Sequence, residues 1–191
     1  MSSVRLLLFL SGVIIPSIIN TQQNIDQTWS IDISNSGELH FEFWWNKCVG
    51  SGHGSLALRQ DWQQRLKYIH DETGMERVRF HGILNDDVGS YNGENDYSFI
   101  NIDKIYDYLL SIGMHPYVEI SFMPDDFAST SNTVFHYKGN ISPPKDWSVW
   151  YGFIQTWMTH LIDRYGIDEV SKWKFEVWNE PGIILNNFYI F

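Results

Sequence analysis

The segment from Trp173 to Pro181 carries the strongest chemical signal of the chain and reads Trp-Lys-Phe-Glu-Val-Trp-Asn-Glu-Pro. An apolar run typical of a strand ends there in the pair Asn179-Glu180. A glycosidase needs a carboxyl group that is protonated when it meets the leaving oxygen and ionised afterwards. Nearby tryptophan rings favour the protonated form. We therefore expect Glu180 to be an acid/base group and Asn179 to donate to a sugar 2-hydroxyl.

The spacing of these residues raises a geometric question. Strict strand alternation places Asn179 and Glu180 on opposite faces, so both reach one sugar only if the strand curls at its end. Pro181 favours an extended backbone at Glu180. Glu176 shares the parity of Glu180, points to the interior of a barrel and needs partners there. The alternative interpretation is a surface Asn-Glu turn ahead of a proline.

The elements that precede this strand repeat one pattern of helix, glycine and strand. Apolar residues at helical spacing are followed by a glycine that is a natural helix terminator and then by a strand. The three glycines are Gly74, Gly113 and Gly166, and the three strands cover residues 77–81, 115–121 and 173–178. Asp146 is the expected N-cap of the third helix. We expect the tryptophans of that helix to be core residues. Residues 39–45 read as an earlier strand, and the glycine-rich residues 49–54 as a loop.

Strands that alternate with helices imply βαβ units and a parallel sheet. The connections after the strands, residues 82–101 and 122–146, are long, whereas those after the helices are short. In βα-barrels the loops at the carboxyl ends of the strands build the active site. The two long connections hold four aspartates: Asp86, Asp87, Asp125 and Asp126.

Several segments match the motifs of one family, in the same order along the chain. They are Arg79-Phe80-His81-Gly82, residues 105–110, Pro116-Tyr117-Val118-Glu119, Phe122-Met123-Pro124, Lys138-Gly139-Asn140, residues 143–146, Arg164-Tyr165-Gly166 and residues 175–181. From about residue 40 to residue 181 the sequence resembles glycoside hydrolase family 39, the family of β-xylosidases and α-L-iduronidases.

This resemblance implies an α/β fold, the first half (about four βα units) of a (β/α)8 barrel, truncated. It implies hydrolysis with retention, with the acid/base at Glu180 and a substrate contact at Asn179. By their motif positions, His81 and His53 are implied to bind sugar. Glu119 is a weaker substrate-binding candidate, with a buried structural carboxylate as the alternative. The partner is an oligosaccharide or glycoside, and neither a metal nor an organic cofactor is implied.

Three functions remain open at this point. The first is a β-xylosidase-like hydrolase represented by its N-terminal half, and the second is an α-L-iduronidase-like hydrolase of glycosaminoglycans. The third is a non-catalytic, carbohydrate-binding half-barrel. The family's nucleophile follows a later strand, and a barrel typically needs about 250 residues, so we expect this polypeptide to be inactive alone. Four strands cannot close a barrel, so we also expect two free sheet edges and one exposed apolar face.

The composition excludes other classes of protein. The net charge of 13 − 23 = −10 opposes binding to nucleic acid. Cys48 is the only cysteine, which rules out an internal disulfide and a cysteine-based zinc site.

Arg5 and the apolar residues 6–15 predict a signal peptide at residues 1–20, with an uncleaved anchor as the alternative. An irregular segment, 21–37, and the partial catalytic barrel, 38–191, follow. We expect a secreted protein, extracellular or lysosomal, without a membrane span after cleavage. The sequon Asn140-Ile141-Ser142 is weakened by Pro143.

Overall fold

A computed structural model describes residues 44–93 and 96–180 of the 191-residue chain. The predicted signal peptide, the irregular segment 21–37 and the first part of the predicted strand 39–45 lie outside the described residues, and those assignments stay predictions.

The described chain alternates strands and helices in the order that the sequence predicts. The strands are β1 (Val49–His53), β2 (Arg77–His81), β3 (His115–Glu119), β4 (Thr133–Val134), β5 (Gly139–Asn140) and β6 (Lys174–Glu176). The α-helices are α1 (Gln60–Thr73), α2 (Ile100–Ser111), α3 (Trp147–Tyr165) and α4 (Ile167–Val170), and 3₁₀ helices cover Trp44–Lys47 and Gly54–Leu58. The short helix α4, between Gly166 and the last strand, is an element that the sequence did not predict.

Four strands form one parallel sheet in the order β1-β2-β3-β6, so each new strand is added beside the one before it. The register pairs Arg79 with Tyr117, and Glu119 with Glu176. Because the strands are parallel, their carboxyl ends lie at the same edge of the sheet. This arrangement confirms the predicted parallel α/β fold, and it brings the ends of β1, β2, β3 and β6 together.

The two faces of the sheet differ in chemistry. Val78, Phe80 and Val118 alternate on one face and are buried in the apolar core that the helices build. That core includes Ile102, Ile105, Tyr106, Leu109, Phe153, Trp157 and Leu161. Strand alternation places a different set on the opposite face, namely Arg79, His81, Tyr117, Glu119, Lys174 and Glu176. The expectation of an exposed apolar sheet face was therefore wrong, because the face away from the helices is polar.

The position of the first strand also differs from the prediction. Trp44 and Trp45 lie in a 3₁₀ helix, and β1 occupies the glycine-rich stretch that was expected to be a loop. Pairing with β2 imposes the extended conformation on this stretch, with Val49 opposite Val78. A Cβ at Gly52 would lie 2.9 Å from Leu56 Cδ1, so a larger residue there would displace the end of this leucine side chain. Tertiary pairing thus overrides the low strand propensity of glycine.

The residues that cap α1 and α3 agree with the predictions from the sequence. The Asp146 carboxylate accepts hydrogen bonds from the backbone N–H groups of Ser148 and Val149, which confirms it as the N-cap of α3. Gly74 ends α1 with a left-handed φ of 69°. The expectation for the tryptophans of α3 was only partly right. Trp157 is fully buried, but Trp147, at the first position of the helix, is 67% exposed.

The long connection between β3 and α3 folds back on itself as a small hairpin, β4–β5. Asn140, the acceptor of the sequon, is 1% exposed, and its amide nitrogen donates to Asp125 and to the carbonyl oxygen of Thr130. This asparagine is therefore a structural residue that ties the hairpin to its neighbouring loop. Among the helices of the described residues, none combines the length and the hydropathy that crossing a bilayer requires.

Gly139 lies against the ring of Phe122, and this contact generates a prediction. A Cβ added at Gly139 would lie 2.7 Å from Phe122 Cε2 and 2.8 Å from Cγ. We expect Gly139→Ala to lower the free energy of unfolding by about 1–3 kcal/mol through overpacking, measured by urea denaturation. Gly152→Ala is the matched control, because nothing lies within 4 Å of its added Cβ in α3. It is expected to stabilise the chain by about 0.5–1 kcal/mol. Equal unfolding curves for wild type and Gly139→Ala would contradict the packing described.

The aspartate-rich connections generate a second prediction. Burial raises the pKa of Asp86 above its usual value, and the neighbouring Asp125, Asp126 and Asp87 add to this shift. At a pH below its unfolded-state pKa, Asp86 is protonated in both the folded and the unfolded state, so it does not lower the free energy of unfolding. As the pH rises through the folded-state pKa, ionisation beside Asp125, Asp126 and Asp87 destabilises the fold.

We therefore expect Asp86→Asn to leave stability unchanged near pH 3 and to increase it at pH 7, measured by urea unfolding at both values. The asparagine oxygen can still accept the hydrogen bond that Asp125 N donates over 3.1 Å. Asp61→Asn is the control. It should lower stability at pH 7, the opposite of Asp86→Asn, because the Arg59 side chain lowers the pKa of the Asp61 carboxyl. A stability loss at pH 7 in Asp86→Asn would show that its charge is favourable.

Candidate functional site

Arg79 lies at the centre of the polar sheet face and connects three of its side chains. Its Nε and Nη2 donate to the two carboxylate oxygens of Glu176 over 2.6 and 3.0 Å. Nη2 also donates to Asn179 Oδ1 over 3.0 Å and lies 2.7 Å from Glu119 Oε2. The hydrogen bond to Glu176 is the main cause that raises the pKa of Arg79, so the guanidinium stays charged. Glu176 thus has the interior partner that its parity requires.

The bond from Arg79 fixes the orientation of Asn179. Because Asn179 Oδ1 accepts from the guanidinium, its two amide hydrogens point away from Arg79. No residue within 44–93 or 96–180 accepts them. They are consequently available to an oxygen of a ligand, as the prediction of a donor to a sugar hydroxyl requires.

The chain curls directly after β6 and returns Asn179 to the face of Glu176. Ladder pairing ends at Glu176, and Val177 is 81% exposed. Asn179 and Glu176 then contact the same guanidinium although they are three residues apart. Strict alternation would have placed these two side chains on opposite faces.

Glu180 follows with a backbone φ of 45°, in the left-handed region. The expectation that Pro181 keeps Glu180 extended was wrong. Sheet pairing has already stopped at Glu176, so no ladder imposes that conformation. The side chain of Glu180 is exposed, and its carboxyl has no hydrogen-bond partner in the described parts of the chain. The apolar enclosure expected around it is therefore not built by these residues.

Glu119 and His81 form a second contact pair on the same face. Glu119 Oε2 lies 2.7 Å from His81 Nδ1, and the Glu119 side chain is fully buried whereas that of His81 is 27% exposed. The other oxygen, Oε1, accepts from the Ser121 hydroxyl. The structure thus brings Glu119, His81 and Asn179 together around Arg79, with only His81 and Asn179 open to solvent.

His53 is placed beside His81 but in a different environment. The two histidines are register partners at the carboxyl ends of β1 and β2. His53 is 7% exposed, its Nε2 lies 3.1 Å from Asp87 Oδ2, and the Tyr137 ring stacks on it at 4.1 Å. A buried ring with a carboxylate at Nε2 and a tyrosine stacked on it has the geometry of a structural histidine. Its sugar-binding role stays a prediction.

Aromatic residues of the hairpin cover the two histidines. Phe135 is 56% exposed, has a left-handed φ of 62° and stacks on His81 with a centroid distance of 6.0 Å. Tyr137 lies 5.3 Å from Phe135. Burial raises the pKa of Tyr137 to about 12, and Glu119 and Asp87 add to the shift, so its hydroxyl keeps its proton at neutral pH. Trp178 and Phe122 continue this aromatic surface toward β6.

Two components of this site were not predicted from the sequence. One is Arg79, although the alternation of β2 places it on the face of His81, and that signal could have found it. The other is the pair Phe135 and Tyr137. Their placement depends on how the long connection folds back, and no local pattern specifies that fold.

The described residues hold no group of three or more potential metal ligands. Their donors instead pair with one another, as the contacts of Arg79 and His53 show. The expectation of no cofactor stays a prediction.

The sequence was compared with known proteins. The profile of Glycosyl hydrolases family 39 matches residues 30–189. The chain is 54% identical to a beta-xylosidase of Caldicellulosiruptor saccharolyticus over 143 residues, which cover 73% of this chain and 29% of that protein. It is 41% identical to a beta-xylosidase of Geobacillus stearothermophilus over 166 residues, 83% of this chain and 32% of the other. The alpha-L-iduronidase of Homo sapiens is 31% identical over 129 residues, 65% of this chain and 18% of that enzyme.

Solved structures give the same relationship. A GH39 beta-xylosidase from Caulobacter crescentus superposes with a TM-score of 0.69 at 37% identity, covering 72% of this chain and 32% of that one. The GH39 enzyme of Xanthomonas axonopodis pv. citri superposes with a TM-score of 0.69 at 35% identity, covering 72% and 28%. This chain spans about a third of the length of the beta-xylosidases that it matches. The profile match and the identities show that the chain belongs to glycosyl hydrolases family 39.

Proposed function

We propose that this chain forms the acid/base half of a retaining glycoside hydrolase of the β-xylosidase type. The observation that carries the proposal is the bond between Arg79 and Asn179, which orients the amide of Asn179, the sequence neighbour of Glu180, beyond the carboxyl end of β6. A neutral hydrogen-bond donor beside a carboxyl group suits a glycoside. The donor contacts a sugar hydroxyl while the carboxyl exchanges a proton with the glycosidic oxygen.

In this proposal Glu180 protonates the leaving oxygen in the first step and removes a proton from water in the second. Asn179 donates to the 2-hydroxyl of the sugar, a contact that strengthens as positive charge develops at the anomeric carbon. His81 contributes a further sugar contact. The exposed Phe135 ring offers an apolar surface on which a pyranose face can stack.

The carboxylates around Arg79 do not supply the nucleophile that this proposal requires. Retention needs a second carboxylate roughly 5–5.5 Å from the first. In the described residues, Glu119 and Glu176 are engaged by Arg79, so neither is free to attack a sugar. We propose that the four-stranded sheet is one half of a (β/α)8 barrel. Phe175 is 40% and Val177 81% exposed at the last strand, where the next unit of such a barrel packs.

We favour a β-xyloside over an α-L-iduronide as the substrate. A uronate carboxylate calls for a free cation near the sugar. The cation that contacts Asn179 is Arg79, which two carboxylates already neutralise. The beta-xylosidase relatives are also more similar to this chain than the alpha-L-iduronidases are. We further propose that the protein is secreted, on the basis of the signal-like residues 1–20.

The proposal is tested in a chimera in which this chain replaces the matching segment of the Caldicellulosiruptor saccharolyticus beta-xylosidase. We expect the chimera to hydrolyse a β-D-xyloside with a poor leaving group, and Glu180→Gln to reduce kcat/KM by roughly 10²- to 10⁴-fold, because the amide cannot transfer a proton. Glu72→Gln, at an exposed position of α1, is the control and should retain activity. A Glu180→Gln chimera as active as its parent would refute the role of Glu180. Turnover of an aryl α-L-iduronide in preference to the xyloside would favour the second substrate.

We expect the 191-residue polypeptide alone to give no turnover of an aryl β-D-xyloside, because among the described residues the two carboxylates that share Arg79 with Asn179, Glu119 and Glu176, are already engaged by that guanidinium. The assay is the release of the aryl group over several hours at high protein concentration. Hydrolysis that survives purification and is abolished by Glu180→Gln would place a nucleophile within this chain.

A further inference from the structure

Glu119 is fully buried, so it has no access to a ligand. Its contacts nevertheless reach two groups that do. Oε2 lies 2.7 Å from His81 Nδ1 and 2.7 Å from Arg79 Nη2, and Arg79 in turn holds Asn179. Ser121 donates to the other oxygen. Donors therefore approach both oxygens, which is the arrangement of an ionised carboxylate acting only as an acceptor.

A carboxylate that accepts a hydrogen bond from Nδ1 determines the tautomer of the imidazole. Nδ1 of His81 must carry the hydrogen, so in the neutral ring Nε2 is an acceptor with a free lone pair. In the described parts of the chain nothing bonds Nε2, and the ring is 27% exposed. Phe135 stacks on the ring and Phe122 lies 6.3 Å away. The ring thus has an aromatic neighbour at each of these two contacts and presents one defined acceptor to the site.

We propose that Glu119 is a positioning residue that locks His81 in the Nδ1–H tautomer, so that Nε2 accepts a hydrogen bond from a sugar hydroxyl. The effect on the substrate rests on the proposed glycosidase function, whereas the effect on the tautomer does not. The same carboxylate contacts Arg79, so it keeps the acceptor at His81 and the donor at Asn179 in a fixed relation. A glycoside then meets one hydrogen-bond acceptor, Nε2 of His81, and one hydrogen-bond donor, the amide of Asn179.

Glu176 provides a matched comparison for Glu119. Both carboxylates contact Arg79, but His81 is bonded only by Glu119 in the described structure. Glu119→Met removes the acceptor at Nδ1 and keeps a side chain of similar length. Glu119→Gln keeps an acceptor oxygen and removes the charge. Glu176→Gln alters the guanidinium partner without touching His81.

The tautomer is measured by long-range ¹H–¹⁵N NMR of the ¹⁵N-histidine-labelled full chain, at a pH where the imidazole is neutral. Seven histidines are present, so His81 is assigned by the signal lost in His81→Gln. We expect the Nδ1–H pattern in wild type, Glu119→Gln and Glu176→Gln, and a shift toward Nε2–H in Glu119→Met. An Nε2–H pattern in wild type overturns the proposal even if Glu119→Met does not fold. An unchanged tautomer in folded Glu119→Met overturns it as well.

The consequence for substrate is measured in the chimera described above. Loss of one neutral hydrogen bond corresponds to about a tenfold change. Glu119→Met should therefore raise KM for the xyloside about tenfold, with kcat changed less than about threefold, and Glu119→Gln should restore KM. A tautomer shift without a KM change overturns the role of His81 Nε2 in binding. A wild-type chimera without activity refutes the proposed function, and the NMR result still decides whether Glu119 sets the tautomer.

Discussion

A single guanidinium organises the polar face of this sheet. Arg79 carries the positive charge between two carboxylates, one fully buried and one partly exposed, and it also orients an amide. Taking two carboxylates out of water is costly unless a cation with matching geometry meets them. The forked shape of arginine supplies several donors in one plane, which a lysine cannot do. The polar side chains of β2, β3 and β6 can share one small volume because this cation lies among them.

The fold provides the conditions for that contact. Parallel strands added one after another bring β2, β3 and β6 side by side, and alternation sends apolar residues to the helices and polar residues to the opposite face. The helices pack through Phe153, Trp157 and Leu161, which makes the sheet a rigid support. The candidate functional groups lie at strand ends, where the chain leaves the ladder and is free to curl. Asn179 and Glu180 are both in this position.

Most of the fold could be predicted from the sequence because its signals are local. Periodic apolar residues, the terminators Gly74 and Gly113 and the cap Asp146 each act within one helical turn. Prediction failed where distant parts of the chain decide the outcome. Strand β1 forms from a glycine-rich stretch because β2 pairs with it. The sequence located Asn179 and Glu180 through their motif, but the curl that makes Asn179 a partner of Arg79 arises from a contact between residues a hundred positions apart.

The hairpin β4–β5 and the parallel sheet contribute different kinds of group to the candidate site. Charge and hydrogen-bonding polarity reside on the sheet, whereas the apolar ring surface of Phe135 resides on an excursion held by a two-residue ladder and by Asn140. Changes at the tip of this excursion need not disturb the guanidinium or its carboxylates. The apolar ring surface and the charged and hydrogen-bonding groups of the candidate site are therefore encoded in separate stretches of chain, and each can vary while the other is kept.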